Sequence, residues 1–309
     1  MKPIFIDFET FSGEDIKVGG AYRYTQSPDF EILLIGYAIE DGAVNIVDMT
    51  KPGAYDQFTD FTNLILDEQY TIVAHNAQFE RLCLMAYGIN IPAERFLCTA
   101  TMALYAGFPE SLGNLSKALD LKEGKKGTGL ALIKFFCQYQ KPTRANPEGY
   151  RNYSNDFPDK WEEFIDYLRY DILSEREALT RLDYCKFPQS EIDLYRLDQD
   201  INDNGIAVDM ELAERAEALN DEYCEGLKND IKTKYGISSL KSTIQLKDFV
   251  IIQTGKSFDS FRKEDIDAII AECDNERVDE VLNARKIINK TSNAKYTAMR
   301  NCVCFDGRV

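Results

Sequence analysis

Near its start the chain reads Ile4-Phe5-Ile6-Asp7-Phe8-Glu9-Thr10, an apolar run interrupted by carboxylates at i and i+2. In an extended strand successive side chains point to opposite faces, so Asp7 and Glu9 share one face while Ile6 and Phe8 enter a core on the other. Two like charges held side by side in a partly buried site repel unless a cation lies between them or one is protonated. A divalent metal site is the economical explanation. An edge strand with two acids on its wet face explains the same residues, and further carboxylates arriving from elsewhere in the chain decide between the two.

The lone histidine, His75, narrows the chemistry. It removes Ser-His-Asp and Cys-His schemes, histidine-rich zinc sites and most histidine acid-base mechanisms, leaving carboxylates, tyrosines, lysines or metals. The eight cysteines are scattered, with Cys302-x-Cys304 the only close pair, and read as reduced thiols. No basic n-region with an apolar h-region opens the chain, and no apolar run approaches ~18 residues, so a cytoplasmic protein without a membrane span is expected. A net charge of -16 argues against a polyanionic partner until its distribution is considered. Residues 112–151 carry Lys117, Lys122, Lys125, Lys126, Lys134, Lys141, Arg144 and Arg151 against Asp120, Glu123 and Glu148, a local balance of +5. Residues 285–308 reach the same +5 from Arg285, Lys286, Lys290, Lys295, Arg300 and Arg308 against Asp306. Each segment reads as a solvated helix face or a phosphate track, and together they leave nucleic acid open as a partner.

At 309 residues and 44% hydrophobic content the chain has material for about two domains. Residues 12–29, rich in glycine and tyrosine, read as a loop. Strands over 30–40 and 43–49 flank an Asp41-Gly42 turn, a strong hairpin signal. Residues 54–66 have helical periodicity, and 71–74 form a short buried strand followed by a helix from Ala77. Strand, helix and strand in this order predict a mixed sheet covered by helices. The polar cluster Asn76-Ala-Gln-Phe79-Glu80 falls where a buried strand meets a helix, the usual place for a site in an α/β sheet. Glu80 is thus a third candidate acid, although Asn76 also reads as an N-cap and Glu80 as a first-turn acid. Helices follow over 112–119 and 127–138, then a loop over 139–158. A long helix over 159–182 carries Tyr167 and Asp171 one turn apart on one face. Beyond residue 188, segments 190–202, 210–235, 263–273 and 279–299 read as helical.

Asp7-x-Glu9, Asn76-x-x-Phe79-Glu80 and Tyr167-x-x-x-Asp171 resemble, in order and spacing, the three motifs of the DEDDy 3′-to-5′ exonucleases. The first 185 or so residues look like the proofreading domain of family A DNA polymerases of the bacteriophage or prophage kind, which the segments 112–121 and 129–137 also match. One departure is Glu80, where the second motif usually ends in Asp. The resemblance implies a ribonuclease H-like exonuclease domain over 1–188, followed by a helical, thumb-like region over 189–309. The palm is expected to be absent, because the polymerase His-Asp-Glu motif needs a histidine after residue 75. It also implies two divalent ions, Mg²⁺ or Mn²⁺, held by Asp7, Glu9, Glu80 and Asp171. Tyr167 would orient the attacking water together with Glu9, with Thr10, Asn76 and Phe79 on the terminal nucleotide of a DNA single strand. Duplex would be gripped by the thumb-like region. The competing readings are an inert DNA-binding or partner-docking fragment, and an RNA-trimming enzyme similar to ribonuclease D.

Overall fold

The computed structural model describes residues 2–122, 129–140, 142–144 and 146–309; Glu123, Lys125, Lys126 and Lys141 of the basic segment, and the first residues of the helix expected over 127–138, lie outside them. The acidic strand, β1 (Lys2–Phe11), is the centre of a five-stranded sheet completed by β2 (Glu31–Ile39), β3 (Asn45–Asp48), β4 (Tyr70–Ala74) and β5 (Phe96–Cys98). The strand order is β3-β2-β1-β4-β5, antiparallel on the hairpin side and parallel on the other. The expected hairpin forms between β2 and β3, its turn closed by the Gly42 N–H donating to Ile39 O at 2.8 Å. Parallel neighbours need crossovers. These are α2 (Ala54–Leu66) before β4 and α3 (Ala77–Ala86) before β5. The result is the expected α/β class, a ribonuclease H-like mixed sheet flanked by helices.

Because β1 is central, both its faces are covered. Ile4, Ile6 and Phe8 pack with Phe61 and Ile65 of α2 and with Cys83 and Leu84 of α3. On the opposite face Phe5 meets Ile172, and Phe11 packs among Trp161, Phe164, Tyr167 and Leu168 of the long helix α7 (Pro158–Leu182). That face carries Asp7 and Glu9 toward α7. Gly36 of β2, paired opposite Asp7, permits the approach, since a Cβ there would lie 2.9 Å from Leu168 Cγ. The strand therefore needs glycine for closeness, at some cost in strand propensity.

Residues 12–29 are not a loop but contain α1 (Ile16–Thr25), capped by the Asp15 side chain accepting from Lys17 N. Gly20 kinks it at φ 75°, and the poor helix propensity of the Gly19-Gly20 pair concealed it. Asn76 is the N-cap of α3, as the sequence suggested, but it stands in the left-handed region (φ 72°) and makes no side-chain capping bond. The sheet unit also holds α4 (Thr99–Tyr105), α5 (Leu112–Ala118) and α6 (Gly129–Phe136).

From α8 (Gln189–Asn204) onward the described chain is helical: α9 (Met210–Tyr235), α10 (Thr243–Thr254), α11 (Lys263–Cys273), α12 (Glu276–Ile288) and α13 (Ala294–Cys302). The single helix expected over 279–299 is interrupted at 289–293. Contacts divide the chain later than residue 188, after Ile206, with Cys304–Val309 returning to the first unit. The reason is polar. Arg81 of α3 donates two bonds to Asp203 of α8, both 2.7 Å, and one to Gln199 at 3.2 Å, while the Tyr22 hydroxyl donates to Asp203 at 2.6 Å. Burial, then the Asp203 carboxylate, pushes the Tyr22 phenol up to about 12. Ile206 and Val309 exchange a pair of backbone bonds.

The second unit, Ala207–Val303, has its own core of Ile231, Leu246, Phe249, Val250, Val281 and Leu282. Several cations of the basic segment 285–308, read as a solvated helix face or a phosphate track, have partners within this unit. Arg285 donates to Phe261 O and Leu240 O, Lys286 bonds Asp267, and Arg300 pairs with Glu217. Lys290 and Lys295 are exposed. Among the described residues no helix is long and apolar enough to cross a membrane.

Candidate metal centre

The pairing of β1 with β2 slips by one residue between Glu9 and Thr10. Such irregularities re-aim side chains near sites. Just before the slip, Asp7 and Glu9 meet Asp171 of α7: one oxygen from each carboxylate lies within 4.8 Å of the others. Glu9 and Asp171 are buried, and Asp7 is partly so. Further carboxylates therefore do arrive, and the wet-edge reading of β1 fails because both its faces are packed.

These acids floor a cleft of about 430 Å³ lined also by Thr10, Asn76, Phe79, Glu80 and Tyr167. All the candidate residues thus border one cavity. Glu80 is the exception to the tight group: it borders the cleft but is not one of the three clustered acids. It is not a solvated first-turn acid either, being 2% exposed with Oε2 lacking a hydrogen-bond partner among the described residues. Burial, and then the charge of Asp7, holds its carboxyl well above the usual carboxylate range. Tyr167 hydrogen-bonds Asp171 and is driven strongly toward the protonated phenol by burial, then by the charges of Asp171 and Glu9.

Around the clustered acids stand groups that the motifs did not indicate, some lining the cleft and others, such as Glu175 and Thr99, packed behind its lining. Glu175, one turn beyond Asp171, is 1% exposed, and burial followed by the charge of Asp7 raises it well above the usual range. Thr99 Oγ1 lies 3.4 Å from Glu175 Oε1 and 2.9 Å from His75 Nδ1, and His75 Nε2 is 2.7 Å from Glu110 O. A carbonyl only accepts, so Nε2 carries a proton. The lone histidine is a strut at the rim of the cleft. Tyr24 of α1 adds a buried hydroxyl 2.9 Å from Thr10 Oγ1 and a ring 5.9 Å from that of Phe79. Cys137 donates to Glu9 Oε2 at 4.0 Å. The signal for Glu175 was present in the sequence, since Tyr167, Asp171 and Glu175 recur at i, i+4 and i+8.

The donor set fits a hard divalent cation. Asp7, Glu9 and Asp171 offer only oxygen, the ligand type of Mg²⁺ and Mn²⁺. Acids crowded into one cleft repel one another, and an added cation reverses that balance. The unsatisfied Glu80 oxygen beside Asp7 adds to that demand.

No protein-family model matches the chain. Over 310 aligned residues, covering all of the chain, it is 36% identical to a DNA polymerase of Bacillus phage SP02. The chain is similar to a phage DNA polymerase. It spans 47% of that relative's length. Among solved structures it resembles the POL domain of Pol1 from M. smegmatis, solved in complex with DNA primer-template and dNTP. The TM-score is 0.57 at 13% identity, covering 99% of this chain and 47% of the other, a likeness of fold.

Proposed function

We propose that this chain is the metal-dependent 3′-to-5′ exonuclease, or proofreading, part of a family A DNA polymerase, hydrolysing the terminal phosphodiester of DNA. The observation that carries the reading is the convergence of Asp7, Glu9 and Asp171, with Tyr167 hydrogen-bonded to Asp171, in one cleft. The similarity to a phage DNA polymerase along the whole chain supports DNA as the substrate. Asp7, Glu9 and Asp171, bordered by Glu80, would hold divalent cations, which when bound supply Lewis-acid polarisation of the phosphate and neutralise the acids.

The residues of the chain have separable tasks. Tyr167 donates its proton to Asp171, so its oxygen is left to accept from a water, and Glu9 beside it accepts the other hydrogen. The water is thereby oriented for attack on phosphorus as the bond to the leaving 3′ oxygen breaks. Thr10 and Asn76 offer hydrogen bonds to the terminal nucleotide, and Phe79 with Tyr24 offers an aromatic face. The second unit corresponds, on this reading, to a thumb-like region. The test is a single-stranded DNA labelled at its 5′ end. Stepwise shortening in Mg²⁺ that EDTA stops is expected; an intact strand, or internal cuts, would overturn the reading.

A further inference from the structure

α6 and the residue after it form one wall of the cleft. Gly129, Ile133 and Cys137 fall at i, i+4 and i+8 and so share a helix face, and the latter two line the cavity. At one end Gly129 lies against the ring of Tyr167: a Cβ there would be 2.0 Å from Cε2 and 2.6 Å from Cδ2 and Cζ. The ring has little room to yield. It is 1% exposed and stacks with Phe164 at 6.2 Å and 10°, and Phe164 stacks in turn with Phe136 of α6 at 5.5 Å. At the other end the Cys137 thiol donates to Glu9 Oε2 at 4.0 Å.

We propose that α6 is a positioning element: the bare backbone of Gly129 sets the ring of Tyr167, and the Cys137 thiol sets the carboxylate of Glu9. One short segment, α6 with the residue after it, thereby fixes both groups that flank the attacking water. The inference rests on the exonuclease reading, and neither Gly129 nor Cys137 acts on substrate directly. Any side chain at 129 displaces the Tyr167 ring and carries its hydroxyl away from Asp171.

A double-mutant cycle tests this. Gly129→Ala is expected to lower kcat about 10- to 100-fold while KM for a short oligonucleotide stays within about threefold. In a Tyr167→Phe background the same change should add less than about threefold, because the two act through one hydroxyl. Cys137→Ala should raise the Mg²⁺ concentration for half-maximal rate by roughly tenfold, the usual effect of removing a group that orients a ligand. Wild-type kcat in Gly129→Ala, or losses that multiply in the double variant, would overturn the proposal. If Gly129→Ala does not fold, melting curves of Tyr167→Ala and of Gly129→Ala with Tyr167→Ala decide. The pair should melt with the single Tyr167→Ala, since the methyl then meets the vacated ring space, and a further large drop would overturn the contact. Melting needs no nuclease activity, so an inactive wild-type protein refutes the exonuclease reading while the contact is still tested.

Discussion

Gly36→Ala probes how closely α7 can approach β1, on which the acidic cluster depends. The new Cβ would stand 2.9 Å from Leu168 Cγ and 3.1 Å from both Ile172 Cγ1 and Leu168 Cδ1. Carbon atoms rest ~3.5–4.0 Å apart, so the helix must retreat by roughly 0.5–1 Å. Overpacking of this kind costs about 1–3 kcal/mol, and the stiffer unfolded chain returns about 0.4–1 kcal/mol, leaving a net loss between about 0 and 2.6 kcal/mol. The sole tryptophan reports on the event directly. Trp161 is buried on α7, and its Nε1–H donates to Asp48 Oδ2 at 2.8 Å. Urea unfolding followed by its fluorescence gives the stability of the unit it belongs to. Asp171 follows Leu168 by less than one turn, so the same retreat draws it away from Asp7, and a displacement near 1 Å costs on the order of 100-fold in rate. A variant with wild-type urea midpoint and exonuclease activity within twofold would refute the argument that Gly36 sets the distance between α7 and β1.

Tyr167→Phe is expected to lower turnover by roughly one to three orders of magnitude with little change in oligonucleotide binding, measured by single-turnover kinetics beside a binding isotherm. Asp203→Ala strands Arg81, whose side chain is 5% exposed, and breaking so buried a pair should cost about 2–4 kcal/mol by urea titration, part of the usual penalty being relieved by the exposed side of Asp203. The pH dependence follows from the same pair. Burial alone would raise the Asp203 carboxyl, but bonds from Arg81 and Tyr22 hold it below its ordinary value. Its folded value is the depressed one, so its stabilisation is complete above the unfolded carboxylate value of about 3.9 and is lost as pH falls through the folded value. Melting temperatures of wild type and Asp203→Asn should draw together as pH falls below the unfolded carboxylate value of about 3.9, and a gap that widens there would count against the pair.

The alternation of Asp7 and Glu9 with Ile6 and Phe8 was legible because strand period fixes faces regardless of tertiary context. Helices such as α9, with a strong start at Asp209 and a glycine end at Gly236, were legible for the same local reasons. α1 was not, because Gly19-Gly20 reads as loop and the bonds of Tyr22 and Tyr24 to residues distant in sequence help to hold that helix in place. β5, three residues long, is too short for any periodicity to register. α10 was missed because apolar residues are spread around it, leaving no stripe. In the site, spacing gave Asp7 with Glu9 and Tyr167 with Asp171 as two separate pairs, and the resemblance to the exonuclease motifs joined them into one set. Glu175 escaped because a glutamate on a long helix ordinarily faces water, and only the packing of α7 against the sheet buries it. The basic run over 285–308 could not be resolved between helix face and phosphate track from the sequence, since Arg285, Lys286 and Arg300 have partners that only the fold brings near.

The most direct test is a Mn²⁺ titration of the purified protein by calorimetry, run in parallel on wild type and Asp7→Ala, with DNA shortening measured on the same samples. Saturable binding in the wild type that is lost in Asp7→Ala, together with loss of DNA shortening and an unchanged urea midpoint for the fold, is the predicted result. Removing one acid from a repulsive cluster leaves no stability penalty of its own. Asp7→Ala that binds Mn²⁺ as the wild type does, or trims DNA within about threefold of it, would contradict the assignment of Asp7, Glu9 and Asp171 as a metal centre.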